Sequence, residues 1–200
     1  MPMELQERFH QAGDEFYMMI GQCIAEWAGV DDELFNIFQD SIGPREQCAI
    51  IYFKIQSLST RFDLTDEIVK SVLPKPERPK REGGHDHPSV KAWGIAKGDY
   101  QDLLSTRSHI AHHPVEIGLE PGRSAPGGEQ FATQIFGSPG IAPPRTWYEL
   151  SASLKERMRE RSANLRPLRI EDLRDHLSKV VSLRFRLRNF FENVLTKSRE

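Results

Sequence analysis

The chain has 200 residues and a formal net charge of −2, the size of one ordinary domain; with 38% hydrophobic and 28% charged residues it can bury a core and is not disordered throughout. The charge balance excludes a globally basic nucleic-acid coat and leaves room for a local basic patch. Cys23 and Cys48 match no metal-ligand spacing and are too few for a disulfide scaffold, and MPMELQERFH lacks the regions of a secretory leader, so a cytoplasmic protein without a membrane span is expected.

Of 14 Gly and 13 Pro, six fall in 74–88 and twelve in 114–146, which predicts helices separated by two irregular segments. Phe16, Ile20, Cys23, Trp27, Val30, Leu34, Ile37 and Phe38 recur at spacings of three and four. They predict a helix over about 14–41, with a short separate helix carrying Leu5, Phe9 and Ala12 before Gly13. Gly43-Pro44 stops it. Ile50, Ile51, Phe53 and Ile55, continued by Leu58, Phe62, Leu64, Ile68 and Val69, predict a second helix over about 44–73, antiparallel to the first. PKPERPKREGGHDHP (74–88) has no apolar period and reads as a charged loop. Val90, Trp93, Ala96, Tyr100, Leu103 and Ile110 predict a third helix over about 89–113, ended by Pro114.

Beyond it, VEIGLEP and QFATQIFG have extended character and are candidates for a hairpin. Thr146 to Glu149 fits a capping box that opens a polar helix to about 164, and Leu173, Leu177, Val180, Leu187 and Phe190 predict a last helix over about 170–196. The expected fold is all-α: one domain, an antiparallel bundle of four to five helices with an irregular, hairpin-containing insertion at 114–146. Leu34, Phe38, Phe53, Phe62, Trp93, Leu104, Leu177 and Phe190 are expected in one core.

Chemistry concentrates in TRSHIAHHP, where Arg107 is followed by Ser108, His109, His112 and His113. Arg107 to His112 is a five-residue step, about 140° on an ideal helix, and Pro114 marks the last turn as the place where the helix relaxes and the two side chains converge. Similar Arg–His gaps occur at Arg78/His85, Arg81/His87 and Arg169/His176, but those lie in the charged loop or the polar lead of the last helix. His109 and His113, four apart, could hold a metal with His85-Asp86-His87. Glu26 is a candidate to orient Arg107. Lys155, Arg157, Arg159 and Arg161 form either a solvated helix face or an RNA-phosphate track.

The hairpin carrying GQCIAEWAGVDDELFNIF and IIYFKIQSLSTRFDLTDEIV, followed by a helix ending RSHIAHH, resembles the HEPN superfamily over residues 14–113, with 170–196 completing the bundle. The resemblance implies a metal-independent endoribonuclease of toxin or defence type, with Arg107 and His112 as the active pair and Ser108, His109 and His113 as auxiliary groups. It implies no cofactor, an RNA substrate, an antitoxin or immunity partner, and a homodimer in which two motifs meet. The face around Tyr100, Arg107 and His112 would then lie at the subunit contact. Ser108 stands where the family commonly has Asn, Asp or His, and Pro114 where the branch paired with nucleotidyltransferase antitoxins has Tyr. The competing expectations are a non-catalytic helical module binding protein, RNA or nucleotide, and a histidine-ligated metal hydrolase.

Overall fold

A computed structural model describes residues 3–74, 87–112, 115–120, 135–141 and 168–195. They form an all-α bundle of α1 (Met3–Ile42), α2 (Arg45–Lys54), α3 (Leu58–Val72), α4 (Pro88–His112) and α5 (Ile170–Phe190), the last continuing into a π-turn at Phe191–Leu195. The hairpin expected in the insertion is present as β1 (Val115–Glu120) and β2 (Ile135–Ile141), paired antiparallel from Val115 opposite Ile141 to Glu120 opposite Ile135. Its second strand begins five residues later than QFATQIFG suggests, and a register shift falls between Ile117 and Leu119. The loop at 75–86 and the expected polar helix at 146–164 lie outside the described residues.

Two helix boundaries differ from expectation. α1 runs unbroken through Gly13, because one glycine costs a helix only about 1 kcal/mol and the stripe buried from Phe16 onward holds the helix just beyond it. The expected helix over 44–73 is two. Ile55 turns extended and its N–H donates to the Tyr52 carbonyl; Ser57 then caps α3, its hydroxyl accepting from Thr60 N–H at 3.4 Å. Arg61 Nε donates to the Ile55 carbonyl at 2.7 Å and so satisfies an acceptor the break would otherwise strand. Apolar residues flank the break on both sides, so the period alone does not reveal it.

The chain divides into two units, residues 1–24 with 105–177 and residues 25–104 with 178–200. In the second, Phe62 stacks on Tyr100 with centroids 4.0 Å apart and on Trp93 at 5.9 Å, while Trp27 meets Tyr100 edge-on and Trp93 meets Phe190. Leu58 contacts Tyr100 and Asp66 contacts Trp93, so α3 and α4 are antiparallel. Asp99 with Arg186 and Trp93 with Phe190 make α4 and α5 antiparallel as well. Glu26 with Arg184 and Glu33 with Arg188 set α1 and α5 in the same direction.

The first unit has its own cluster of Phe16, Met19, Cys23, Ile110, Leu168 and Leu173. The expected single core is therefore two clusters. Leu34, Phe38, Phe62, Trp93 and Phe190 are buried in the larger one with Leu104 half-buried against it, whereas Leu177 packs on the smaller. Phe53 is a correction: it is 47% exposed. The break at Ile55 leaves α2 so short that Cys48 and Tyr52, four apart, are its only buried residues.

Candidate functional site

The last turns of α4 present the Arg–His segment, and Ile110 anchors them in the cluster with Phe16, Met19 and Cys23. α4 stays helical through His112, so the expected relaxation before Pro114 does not occur at the pair. Arg107 is half-buried, about 60° round the helix from Ile110, and His112 is exposed about 140° further on. One copy therefore does not aim both groups at one phosphate. Ser108 is exposed beside them, and His113 lies outside the described residues.

His109 is 3% exposed and belongs to the interior, not to a solvent-facing ligand set. His87 has a structural task too. The backbone N–H of Ser89 donates to its Nδ1 at 3.3 Å, which satisfies a donor at the start of α4. Among the described residues no three His, Cys, Asp or Glu are grouped to hold a metal ion. In the other Arg–His match that is described, Arg169 is exposed while His176 is buried.

Tyr100 corrects the expected subunit contact. It is 1% exposed, its hydroxyl donates to the Leu58 carbonyl at 3.0 Å, and its ring lies between Phe62 and Trp27. Glu26 holds Arg184 at 3.1 Å, which occupies the carboxylate expected to orient Arg107. Lys155, Arg157, Arg159 and Arg161 lie outside the described residues.

The arginines show where positive charge is already committed. Arg61 holds Asp31, Arg174 holds Glu15, Arg184 holds Glu26, Arg186 holds Asp99 and Arg188 holds Glu33. The basic face of α5 is thus spent on α1 and α4. Arg107 makes no ion pair or hydrogen bond with another described residue.

Two polar clusters that sequence spacing does not reveal are structural. Tyr52 donates to Asp31 Oδ1 at 2.9 Å, and Arg61 pairs with the other oxygen of the same carboxylate. Burial, then the Asp31 charge and hydrogen bond, push the Tyr52 hydroxyl far above the ordinary tyrosine range. Asp66 accepts from Trp93 Nε1 at 2.8 Å, Lys97 Nζ at 2.6 Å and Lys70 Nζ at 2.7 Å. Burial alone would raise this carboxyl, but the hydrogen bonds from Lys70, Lys97 and Trp93 outweigh it and hold the group below its ordinary value. Burial also pushes the Cys23 thiol up to about 11, which makes it a poor nucleophile.

No helix among the described residues is long and apolar enough to cross a membrane. No family model, curated protein or solved structure matches the chain.

Proposed function

We propose that the chain is an HEPN-like, RNA-directed protein: a metal-independent endoribonuclease of toxin or defence type, its Arg107 and His112 completed by those of a second copy. The observation that supports this reading is Arg107, a half-buried guanidinium that holds no described carboxylate while five other arginines each hold one. An uncommitted fork of donors beside an exposed imidazole suits a phosphodiester. The divergence of the two side chains on a regular helix is the reason that two copies are required.

In this mechanism His112 takes the proton of the ribose 2′-hydroxyl as that oxygen bonds to phosphorus. Arg107 of the second copy holds the non-bridging oxygens as negative charge builds on them. The bond to the 5′-oxygen breaks and that oxygen takes a proton from water, a role the buried His109 is badly placed to fill. The products are a 2′,3′-cyclic phosphate and a 5′-hydroxyl. An antitoxin or immunity protein is the partner such an activity calls for.

The test is cleavage of mixed RNA by protein freed of contaminating nuclease, with chelator present. Cyclic-phosphate ends are expected, with the rate falling roughly 10²–10⁴-fold in His112→Ala. Arg107→Lys should also cut poorly, because an ammonium keeps the charge and loses the fork. Intact RNA with wild-type protein, or equal cutting by His112→Ala, overturns the reading. The non-catalytic alternative is favoured by a separate observation, an exposed apolar face on α1.

A further inference from the structure

The outer side of α1 is apolar. Tyr17, Met18, Gly21, Ile24, Ala25 and Ala28 are all exposed, and on a helix they lie within about 60° of Gly21. Tyr17 is 60%, Met18 56% and Ile24 53% exposed. A Cβ built on Gly21 would meet nothing within 4 Å, so the helix backbone itself is open there. The solvated side of a surface helix is ordinarily polar. Here charge appears only at the two ends of the stripe, as Asp14 and Asp32.

One turn beyond Asp32 the same side carries Phe35, and there the chain's own α2 covers it. Phe35 packs on Tyr52 and Phe53 with centroids 5.4 and 5.0 Å apart. Where α2 can reach this side of α1, it lies on it.

We propose that the uncovered stripe pairs with α1 of a second copy, antiparallel, about a two-fold axis at Gly21. The stripe is self-complementary in that register. Residues equally far from Gly21 on either side come level with each other, so Tyr17 and Met18 meet Ala25 and Ile24 of the second copy. Glycine against glycine on the axis lets the backbones approach closely enough for those contacts.

Charge selects the direction. Antiparallel pairing sets Asp14 opposite Ala28 and Asp32 opposite position 10, a histidine. Parallel pairing sets Asp14 against Asp14 and Asp32 against Asp32, like charges at both ends. The stripe lies opposite the Phe16, Met19 and Cys23 side of α1 that packs with Ile110 of α4, so this pair is separate from the one a composite Arg107/His112 site needs, and its readout is assembly, not cleavage.

Sedimentation velocity of the full chain should show a dimer that dissociates on dilution through the micromolar range. Ile24→Glu should weaken association by roughly tenfold or more by burying an unpaired charge. A cysteine scan supplies the register. Gly21→Cys brings two thiols together on the axis and should form an intermolecular disulfide within minutes of mild oxidation. Asp14→Cys sets its two thiols about 20 Å apart along the paired helices and should not. Cys23 and Cys48 are buried, so wild type gives the background. The proposal is overturned by a monomer throughout that range, by Ile24→Glu associating normally with an unchanged circular-dichroism spectrum, or by Asp14→Cys cross-linking as fast as Gly21→Cys.

Discussion

Asp66 is the single carboxylate whose removal should be felt most. It has three donors, and two belong to α4, so it fastens α4 to α3. In Asp66→Ala the indole N–H of Trp93, a residue 3% exposed, loses its acceptor, at about 1–3 kcal/mol for a stranded buried donor. Lys97, with 31% of its side chain exposed, recovers water in part, so its lost ion pair adds about 1 kcal/mol after that screening. The expected loss is about 2–4 kcal/mol. Asp66→Asn keeps an acceptor for Trp93 and should lose only about 1 kcal/mol. Urea unfolding followed by helical circular dichroism reads the difference. At a slope of about 2 kcal/mol/M, the alanine variant's midpoint falls by roughly 1–2 M.

The pH dependence has a definite sign. The folded carboxyl lies below its ordinary value of 3.8, so its stabilisation is complete above that value and is lost as pH falls through 3.8 toward the folded value. Wild type and Asp66→Asn should therefore converge in acid and differ at neutral pH. An alanine variant as stable as wild type, or asparagine no better than alanine, would refute this account of the cluster.

The first helix shows what a sequence makes legible. Its buried stripe repeats from Phe16 to Phe38, long enough for the 3.6-residue period to stand out, and all eight residues that define it are buried or half-buried. The opposite stripe is equally regular, but beside Tyr17, Met18 and Ile24 half of it is Gly21, Ala25 and Ala28, which carry little hydropathy. A period search therefore passes over the one exposed side that looks made for a partner. The break at Ile55 escapes for the converse reason, since apolar residues flank a three-residue interruption and only Ser57 signals a cap. Asp66 and Trp93 are 27 residues apart, a pairing that tertiary packing creates and spacing cannot announce.

At the candidate site the ideal-helix rotation between Arg107 and His112 is readable, but the expected relaxation toward Pro114 is not found and the helix keeps the two apart. What spacing misjudged was Tyr100. Seven residues before Arg107, it shares that residue's side of α4, but this side faces the interior under Trp27 and Phe62. Arg107 is only half-buried because it lies further along the same side, near the helix end.

Two further outcomes follow from burial and close approach. With its thiol pushed up to about 11 and its side chain buried, Cys23 should resist an aromatic disulfide reagent at pH 8 in the folded protein and react at once in denaturant; rapid labelling of native Cys23 in a Cys48→Ser background would contradict the packing around Leu173. The last concerns Gly29, where two effects of similar size oppose each other. A Cβ there would come within 2.6 Å of the Arg184 guanidinium, so Gly29→Ala must push that side chain off Glu26. The obstacle is the far end of a flexible side chain, and the pair it would break is 37% and 29% exposed, worth about 0–1 kcal/mol. Replacing a mid-helix glycine by alanine gains about 1 kcal/mol. Gly29→Ala should therefore fall between neutral and about 1 kcal/mol more stable, and in a Glu26→Gln background, where little pairing remains to lose, it should show the full helical gain. A destabilisation above about 2 kcal/mol would mean that Arg184 cannot swing aside, and that the contact between α1 and α5 is rigid packing rather than a yielding ion pair.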